Sequence, residues 1–186
     1  MVTGAGTAPA LTRERVIDAA ITVAERDGLA ELSMRRLAAE LGAGTMSLYN
    51  HVSDKEDLLD GMVEHVLSPV RVSDDDDWQA VVATWATDSR QALLDRIDLI
   101  PLVIAPQRLS HLGRISGAVA EALGRCGMAP RDAAVVVRVV GRYFAGAVLL
   151  DAPRLRAGGI SRDALDRTFS LGLRALLVGL DAEVSP

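Results

Sequence analysis

The stretch Ser33-Met-Arg-Arg-Leu-Ala-Ala-Glu-Leu-Gly-Ala-Gly-Thr-Met-Ser-Leu-Tyr-Asn-His-Val52 is the part of the sequence that decides the fold. Ser33 is a residue type favoured at a helix N-cap, and Gly42 is expected where the first helix ends. A second helix over Thr45 to His51 would be too short to be stable alone. The stretch therefore predicts two short helices that are joined by a glycine-containing turn.

The second of these helices has a strongly polar outward face. Four apolar residues would form the seam between the two helices: Leu37, Ala38, Leu41 and Leu48. Six other residues would point outward: Thr45, Met46, Ser47, Tyr49, Asn50 and His51. A short helix that is held by its neighbour and presents such groups is typical of a recognition helix in the DNA major groove.

Five segments around this stretch carry a resemblance to a known family. They are Leu11-Thr-Arg-Glu-Arg-Val-Ile-Asp-Ala-Ala20, Gly28-Leu-Ala-Glu-Leu-Ser-Met-Arg-Arg-Leu-Ala38, Leu41-Gly42, Ser47-Leu-Tyr-Asn-His-Val52 and Lys55-Glu-Asp-Leu-Leu-Asp60. In this order they resemble the DNA-binding domain of the TetR family of bacterial transcriptional repressors. The resemblance implies an all-α fold, with an N-terminal three-helix helix-turn-helix domain and a C-terminal helical ligand-binding and dimerisation domain.

We expect three segments in the chain. Residues 1–10 are predicted to be a flexible arm, residues 11–57 the helix-turn-helix domain, and residues 58–186 the ligand-binding and dimerisation domain. The first ten residues lack the basic and long apolar regions of a secretory signal, so we expect a cytoplasmic protein. The longest apolar runs, such as Tyr143 to Leu150, are shorter than the roughly 18 residues that cross a bilayer, so no membrane span is expected.

The resemblance also implies positions of DNA contact. Four residues stand where the family touches DNA: Ser47, Tyr49, His51 and Lys55. Tyr49 can donate its hydroxyl to a phosphate, and Lys55 can act as a point charge at a helix start. Arg35 matches a family position that can reach a guanine or a phosphate.

Base recognition is expected at the start of the predicted recognition helix. Thr45, Met46 and Ser47 are best placed for base edges, and Met46 can cover a thymine methyl. Asn50 stands where the family commonly has a second aromatic or a polar residue, so its role stays open.

The charge of the chain is unusual for a DNA-binding protein, because DNA-binding domains are usually basic. The formal net charge is −5, and residues 1–70 contain six Lys and Arg against eleven Asp and Glu. Most of these acids lie on the predicted first and fourth helices, away from the predicted DNA face. We therefore expect few phosphate contacts per subunit, a modest salt dependence, and a reliance on dimerisation for affinity.

Helical patterns and breakers continue through the rest of the chain. The predicted helices are Arg13 to Asp27, a fourth helix after a Ser53–Glu56 capping box, Trp78 to Ile100, His111 to Cys126, Pro130 to Leu150 and Ser161 to Leu180. A loop from Ala152 to Gly159 is expected between the last two. Both carry small residues at helical spacing, including Gly141 and Gly172, which favours close helix approach. The resemblance implies a homodimer through these helices; packing of both inside one subunit is the alternative.

The second domain is expected to hold a pocket for an unknown small-molecule effector. A largely apolar cavity with a few oriented polar groups is the usual small-molecule site. Three residues in otherwise aliphatic stretches are the candidates for ligand contact: Trp85, His111 and Tyr143.

Two other classes of function compete with this interpretation. An enzyme would need a nucleophile with a base, paired carboxylates or a metal cluster, and His51, His65 and His111 have no ligand spacing. Cys126 is the single cysteine, and the run Asp74 to Asp77 is typical of a solvated connector. We therefore expect no cofactor, no metal and no catalysis. A helical protein-interaction module without DNA affinity is the other alternative, and it would tolerate loss of Tyr49 and Lys55.

These observations together predict a ligand-responsive transcriptional regulator. We expect a homodimer that binds a palindromic operator as a repressor and is released by a small molecule. The fourth helix follows the recognition helix directly and reaches towards the second domain, so it is the expected lever between ligand and DNA. Repression or activation depends on where the operator lies relative to the promoter.

Overall fold

The computed structural model describes residues 10–184, and this part of the chain is helical without a β-strand. The helices are α1 Arg13–Asp27, α2 Met34–Glu40, α3 Thr45–Leu48, α4 Lys55–Leu67, α5 Trp78–Asp95, α6 Ile100–Val103, α7 Leu109–Arg125, α8 Pro130–Arg156 and α9 Arg162–Val184. Short 3-10 turns occupy Leu29–Glu31, Ile97–Leu99 and Pro106–Arg108. The predicted all-α class is confirmed. Residues 1–9 of the predicted arm lie outside the described residues.

The chain packs as two units. The first unit ends at His65 and the second begins at Val66, so α4 is one continuous helix that contributes residues to both. The functional division predicted between residues 57 and 58 stays a prediction, because the two units are defined by packing alone.

Helix α1 begins and ends where the sequence predicts. The Thr12 hydroxyl oxygen accepts a hydrogen bond from the Arg15 backbone N–H at 3.2 Å, which caps the first turn. Gly28 has a φ of 95° and ends the helix, a conformation that favours glycine. The inward face of α1 supplies much of the core of the first unit through Val16, Ile17, Ala20, Ile21, Val23 and Ala24.

The capping box predicted at Ser53 and Glu56 is displaced by one residue, because Asp54 and Asp57 make the capping hydrogen bonds. The Asp54 carboxylate accepts from the Asp57 backbone N–H at 2.8 Å. Asp57 in turn accepts from the Ser53 backbone N–H at 2.7 Å and from its hydroxyl at 3.1 Å. Asp57 also binds the guanidinium of Arg13, so a partner on α1 favours this register over the one that local spacing predicts.

The helix predicted from Trp78 to Ile100 ends earlier. α5 stops at Asp95, and Arg96 leaves the helical conformation with φ −129° and ψ 52°. The chain then turns and re-enters a helix at Ile100, with Pro101 in the first turn of α6, where proline is well tolerated. Leu99, Leu102 and Val103 are buried, so the break allows this segment to turn its apolar side chains into the core.

The loop predicted from Ala152 to Gly159 is largely helical. α8 continues to Arg156 with Pro153 inside its last turns, and the helical run ends before Gly158, whose φ is 67°. Asp151 and Ala152 are buried, and Asp151 accepts a hydrogen bond from Arg90 of α5 at 3.0 Å. Tertiary contacts of this kind keep the backbone helical past Pro153, although proline by local preference ends helices. α9 runs to Val184, four residues beyond the predicted end.

The core of the second unit lies between α5, α7, α8 and α9. Its aromatic centre is formed by Trp85 and Phe144, whose ring centroids are 5.2 Å apart with planes at 86°. Edge-to-face pairs of this geometry stabilise a core beyond the burial of their area. Arg90 is buried beside it, where Asp151, Asp166 and the ring of Phe169 compensate its charge.

The length and apolar composition of α8 differ from the sequence-based expectation that the chain contains no segment able to span a membrane. Within the described residues α8 is the one helix long and apolar enough to cross a membrane by length and composition. The sequence prediction considered only uninterrupted runs of apolar residues. In α8 isolated polar residues interrupt such runs, although the mean hydropathy of the helix is high. Length and composition are weak evidence for a span, because core helices of soluble proteins meet the same criterion. α8 contacts α5, α7 and α9 in the second unit.

Candidate nucleic-acid interface and ligand cavity

Helices α2 and α3 form a helix-turn-helix in which the second helix is very short. The Ser33 hydroxyl oxygen caps α2 by accepting from the Arg36 backbone N–H at 3.3 Å, and Gly42 has a φ of 61° in the turn. α3 covers Thr45–Leu48, whereas the sequence predicts a helix to His51. The last three residues form a turn instead, because the chain must bring Val52 into the core before α4 begins.

The predicted recognition face is mostly open to solvent. Leu48 is fully buried and anchors α3, while the neighbouring Met46 side chain is 77% exposed and Tyr49 is 43% exposed. Ser47 and Asn50 are exposed as well, and Thr45 and His51 are half-buried. The structure therefore brings all six predicted residues together on one short segment. Their contacts with DNA stay predictions.

Lys55 has a structural partner that the sequence did not indicate. Its ammonium group donates to the backbone carbonyl of Leu32 at 2.8 Å, which ties the start of α4 to the residue before the α2 N-cap. An ammonium has three donors, so this bond leaves the predicted phosphate contact of Lys55 possible. Lys55 thus combines a structural role with its predicted DNA contact.

Arg13 is a positioning residue that sequence reasoning missed. Its guanidinium donates to the backbone carbonyl of His51 at 3.0 Å and to Asp57 through two hydrogen bonds. The hydrogen bonds that Asp57 accepts, first from Arg13 and then from Ser53, hold the pKa of its carboxyl well below the usual range. One side chain of α1 therefore fixes both the end of the recognition segment and the start of α4. The only sequence signal was an arginine in the first turn of a helix.

The two adjacent arginines of α2 have different surroundings. Arg36 is paired with Asp27 at 2.8 Å, in a cluster where Arg26 also binds Asp27 and Glu40. This cluster joins the end of α1 to α2. Arg35 is exposed, and no ion pair of its side chain occurs within residues 10–184. Arg35 is therefore the arginine available to a phosphate or a base.

A separate cavity lies within the second unit. It has a volume of about 210 Å³ and lies between α5, α6, α7 and α8. Aliphatic side chains make most of its wall, together with the rings of Trp85 and Phe144 and the side chains of Ser89 and Ser116. Among the residues predicted to contact a ligand, Trp85 is the one that lines this cavity.

The other two predicted ligand residues do not line this cavity, and Tyr143 lines a second cavity of about 380 Å³ between α8 and α9. Tyr143 stacks on Phe169 with ring centroids 5.2 Å apart and donates its hydroxyl to the Phe169 carbonyl at 2.8 Å. His111 is buried in α7, and its Nδ1 is 2.7 Å from a guanidinium nitrogen of Arg114. The structure therefore does not bring Trp85, His111 and Tyr143 to one cavity.

Two of the glycines that the sequence assigned to close helix approach, either between subunits or within one, have partners inside this unit. A Cβ at Gly172 would collide with the hydroxyl of Tyr143, so this glycine makes room for that side chain. A Cβ at Gly141 would lie 3.5 Å from the Trp85 ring, and Ala133 belongs to the buried core. The apolar surface of the last two helices is formed instead by other exposed residues: Val135, Leu149, Leu150, Leu171 and Val178.

Known proteins resemble the chain over both units. Residues 16–62 match the family model described as bacterial regulatory proteins, tetR family. The HTH-type transcriptional repressor DrrR1 of Streptomyces coeruleorubidus is 55% identical over 64 residues, which cover 34% of this chain and 24% of that protein. An HTH-type transcriptional regulator of Saccharopolyspora erythraea is 34% identical over 150 residues, which cover 76% of this chain and 64% of the relative.

A solved structure extends the likeness to nearly the whole chain. The Streptomyces coelicolor TetR family protein ActR, in complex with actinorhodin, superposes with a TM-score of 0.73 at 26% identity and covers 96% of this chain and 99% of that one. Residues 16–62 of this chain belong to the TetR family. The family model includes α2, α3 and most of α4, so the exposed recognition face lies in the TetR-family segment of the chain. The chain spans less than two thirds of the length of the two curated relatives.

Proposed function

We propose that the protein is a ligand-responsive transcriptional repressor that binds a palindromic operator as a homodimer and is released by a small molecule. The observation that carries the proposal is the recognition segment, in which buried Leu48 anchors a helix whose Met46 and Tyr49 are exposed. Exposed apolar and aromatic side chains on so small an element have no packing role. They are suited to contact DNA. The relative DrrR1 is named an HTH-type transcriptional repressor, which supports a DNA-binding role for this segment.

The electrostatics of the first unit support a positioned DNA face. Arg13, Arg26 and Arg36 are engaged in ion pairs that hold α1, α2 and α4 together. Arg35 and Lys55 remain near the recognition segment for phosphates or bases. With so few free cations per subunit, two subunits on two half-sites are needed for tight binding.

The proposed homodimer uses α8 and α9. Leu171 is 63% exposed and Val178 is 68% exposed, and both lie on one side of α9 at a spacing of two helical turns. On α8, Leu149 and Leu150 are exposed in the same way. Two such helices from each subunit would form a four-helix interface that covers these side chains. The small residues at Gly141 and Gly172 do not support this proposal, because their partners lie within one subunit.

The proposed effector site is the apolar cavity of the second unit that is lined by Trp85 and Phe144. ActR is known with actinorhodin bound, which supports a ligand site in a relative of similar fold. We propose that a ligand in this cavity displaces α4, which extends from the recognition segment into the second unit. Ligand and DNA must then weaken each other's binding by the same factor.

The alternatives from sequence are less well supported. Relatives of the chain are named as transcriptional regulators, which are not enzymes. Within the described residues, no group of three or more His, Cys, Asp or Glu side chains could hold a metal ion. We therefore propose a non-enzymatic protein without a cofactor, acting on DNA in the bacterial cytoplasm. A protein-interaction module without DNA affinity would leave the exposed recognition face without a role.

Fluorescence anisotropy with the intergenic DNA beside the protein's own gene tests the proposal. The variant Met46→Ala/Tyr49→Ala removes only exposed side chains, and Thr22→Ala on α1 is its control. We expect tight, salt-dependent binding by the wild type and by Thr22→Ala, and a loss of at least about tenfold in the double variant. Equal DNA affinity of all three proteins would contradict a DNA-binding role for this face. If selection from a random DNA library also yields no sequence that the wild type prefers over random duplex, the DNA-binding role itself is refuted.

A further inference from the structure

The cavity of the second unit has features that restrict its ligand. We propose that it binds a neutral molecule of one or two aromatic rings, with one hydroxyl or carbonyl group that pairs with Ser89 or Ser116. The proposal deepens the effector site given above and rests on that proposed function only for its regulatory consequence. The binding chemistry itself follows from the cavity wall.

The size of the cavity limits the ligand. A cavity of about 150 Å³ lined by aliphatic and aromatic side chains is large enough to bind benzene. The volume here is about 210 Å³, which is enough for one ring with a substituent or for two fused rings. A larger multi-ring ligand would require the surrounding helices to move apart.

The aromatic corner of the wall favours a flat ring. Trp85 and Phe144 meet edge to face, so one presents a ring edge where the other presents a face. A ligand ring can stack on one of them and meet the edge of the other, and such contacts add to the burial of apolar area. Leu93, Ile100 and Val148 complete this part of the wall with aliphatic surface.

Two hydroxyl groups supply polar atoms in the otherwise apolar wall of the cavity. Ser89 is buried on α5 and Ser116 is half-buried on α7, and both line the cavity. Neither hydroxyl has a hydrogen-bond partner within residues 10–184. Because both hydroxyls border the cavity, a ligand oxygen that pairs with one of them gains a hydrogen bond that a hydrocarbon of the same shape cannot make.

The absence of a charged wall residue excludes an ionised ligand. None of the side chains that line the cavity is Asp, Glu, Lys, Arg or His, as far as the described residues show. The neighbouring Arg90 is already compensated by Asp151 and Asp166. A carboxylate in the cavity would lose its hydration without gaining a partner of opposite charge, which is strongly unfavourable.

Gly141 offers a way to close the cavity. It lines the wall on α8, and the only atom near a Cβ at this position is a Trp85 ring carbon at 3.5 Å, an ordinary contact. The larger side chain of Gly141→Leu would therefore extend into the cavity. Gly117 on α7 is exposed and has no atom near a Cβ, so Gly117→Leu is a matched control.

The test is isothermal titration of the full-length, DNA-free protein with 2-naphthol, naphthalene and 2-naphthoate at pH 7. We expect 2-naphthol to bind most tightly and the ionised 2-naphthoate at least about 30-fold more weakly. Ser89→Ala/Ser116→Ala should weaken 2-naphthol about three- to thirtyfold and leave naphthalene within about twofold. Gly141→Leu should abolish binding of the neutral probes, and Gly117→Leu should retain it.

Three results would overturn the proposal. They are equal or tighter binding of 2-naphthoate, no effect of the double serine variant on 2-naphthol, and full binding by a folded Gly141→Leu protein whose circular dichroism matches the wild type. Absence of binding of both neutral probes to the wild type also counts against it. Because the titration contains no DNA, its outcome does not depend on whether the protein binds an operator. Operator binding without naphthol binding would refute the ligand class and keep the repressor.

Discussion

Arg13 and Asp57, 44 residues apart in sequence, form a two-pronged ion pair in which the guanidinium donates to both carboxylate oxygens at 3.0 and 2.6 Å. Asp57 also closes the start of α4 by accepting from Ser53, and Arg13 also binds the carbonyl of His51. Charged hydrogen bonds with two parallel contacts are geometrically specific. This pair therefore orients the chain between the recognition segment and α4.

Replacement of this carboxylate should weaken the first unit. Asp57→Asn removes the charge that pairs with Arg13 and disrupts the hydrogen bonds at the start of α4, so we expect a loss of about 1–2 kcal/mol in the free energy of unfolding. Hydrogen exchange of amides in α1 to α4 measures it. Asp76→Asn in the exposed aspartate run is the control, and an equal loss there would refute the assignment.

The same carboxylate predicts a dependence of stability on pH. The pKa of Asp57 is lowered in the fold, first by the hydrogen bond from Arg13, so the folded state favours the ionised form. Its contribution is fully present above the ordinary aspartate pKa of about 4 and is lost as the pH falls towards the lowered value. The difference in unfolding free energy between wild type and Asp57→Asn should be constant from pH 7 to pH 5 and shrink below pH 4. A difference that grows on acidification would contradict this linkage.

Lys55 is expected to affect both stability and DNA binding. Lys55→Met keeps much of the apolar stem but loses the hydrogen bond to the Leu32 carbonyl, so the first unit should lose about 0.5–1.5 kcal/mol. Tyr49→Phe keeps the exposed ring and should lower DNA affinity without a comparable loss of stability. Chemical unfolding and anisotropy on both variants separate the effects. Unchanged stability in Lys55→Met would show that the bond to Leu32 contributes nothing.

Gly172 is predicted to be intolerant of a side chain. In Gly172→Ala the new methyl group would overlap the Tyr143 hydroxyl, so we expect a loss of about 1–3 kcal/mol in the free energy of unfolding. Gly117→Ala, also in a helix but without a nearby atom, should be neutral or stabilising by up to about 1 kcal/mol.

Removal of the Tyr143 hydroxyl should relieve the overlap with the new methyl group at residue 172. Tyr143→Phe removes the hydroxyl, so the double variant with Gly172→Ala should be more stable than the sum of the two single losses predicts. Strict additivity in this cycle would mean that the two side chains do not meet.

The exposed apolar side of α9 gives a test of the proposed homodimer. Leu171→Glu/Val178→Glu places two charges on this surface, so sedimentation should show a monomer and operator affinity should fall by at least about tenfold. Leu109→Glu, at an exposed leucine of α7, should remain a dimer. A dimer that survives the double variant would place the interface elsewhere.

Residues close in sequence made several features predictable. Thr12 and Gly28 bound α1, and Ser33 caps α2, because each acts on backbone groups within a few residues of itself. The family resemblance implied the all-α class and indicated the segment of α2 to α4 that carries the predicted recognition face. Such features need no knowledge of distant partners.

The errors arose where a distant partner outweighs the local preference. The start of α4 depends on Arg13, the continuation of α8 past Pro153 on the buried contacts of Asp151, and the early end of α5 on burial of the segment around Leu99. The three candidate ligand residues do not share one cavity, because residue type alone does not tell which cavity a helix face borders. Their ligand contacts stay a prediction.

The sequence by itself determined the helical class, the caps of α1 and α2, and the family. Only the tertiary structure decided that Lys55 also holds Leu32, that Gly172 makes room for Tyr143, and that Ser89 and Ser116 border one cavity. The physical reason is the range of the interactions. Capping and helical periodicity act within one or two turns, whereas packing, cavities and ion pairs depend on residues that are brought together only when the chain has folded.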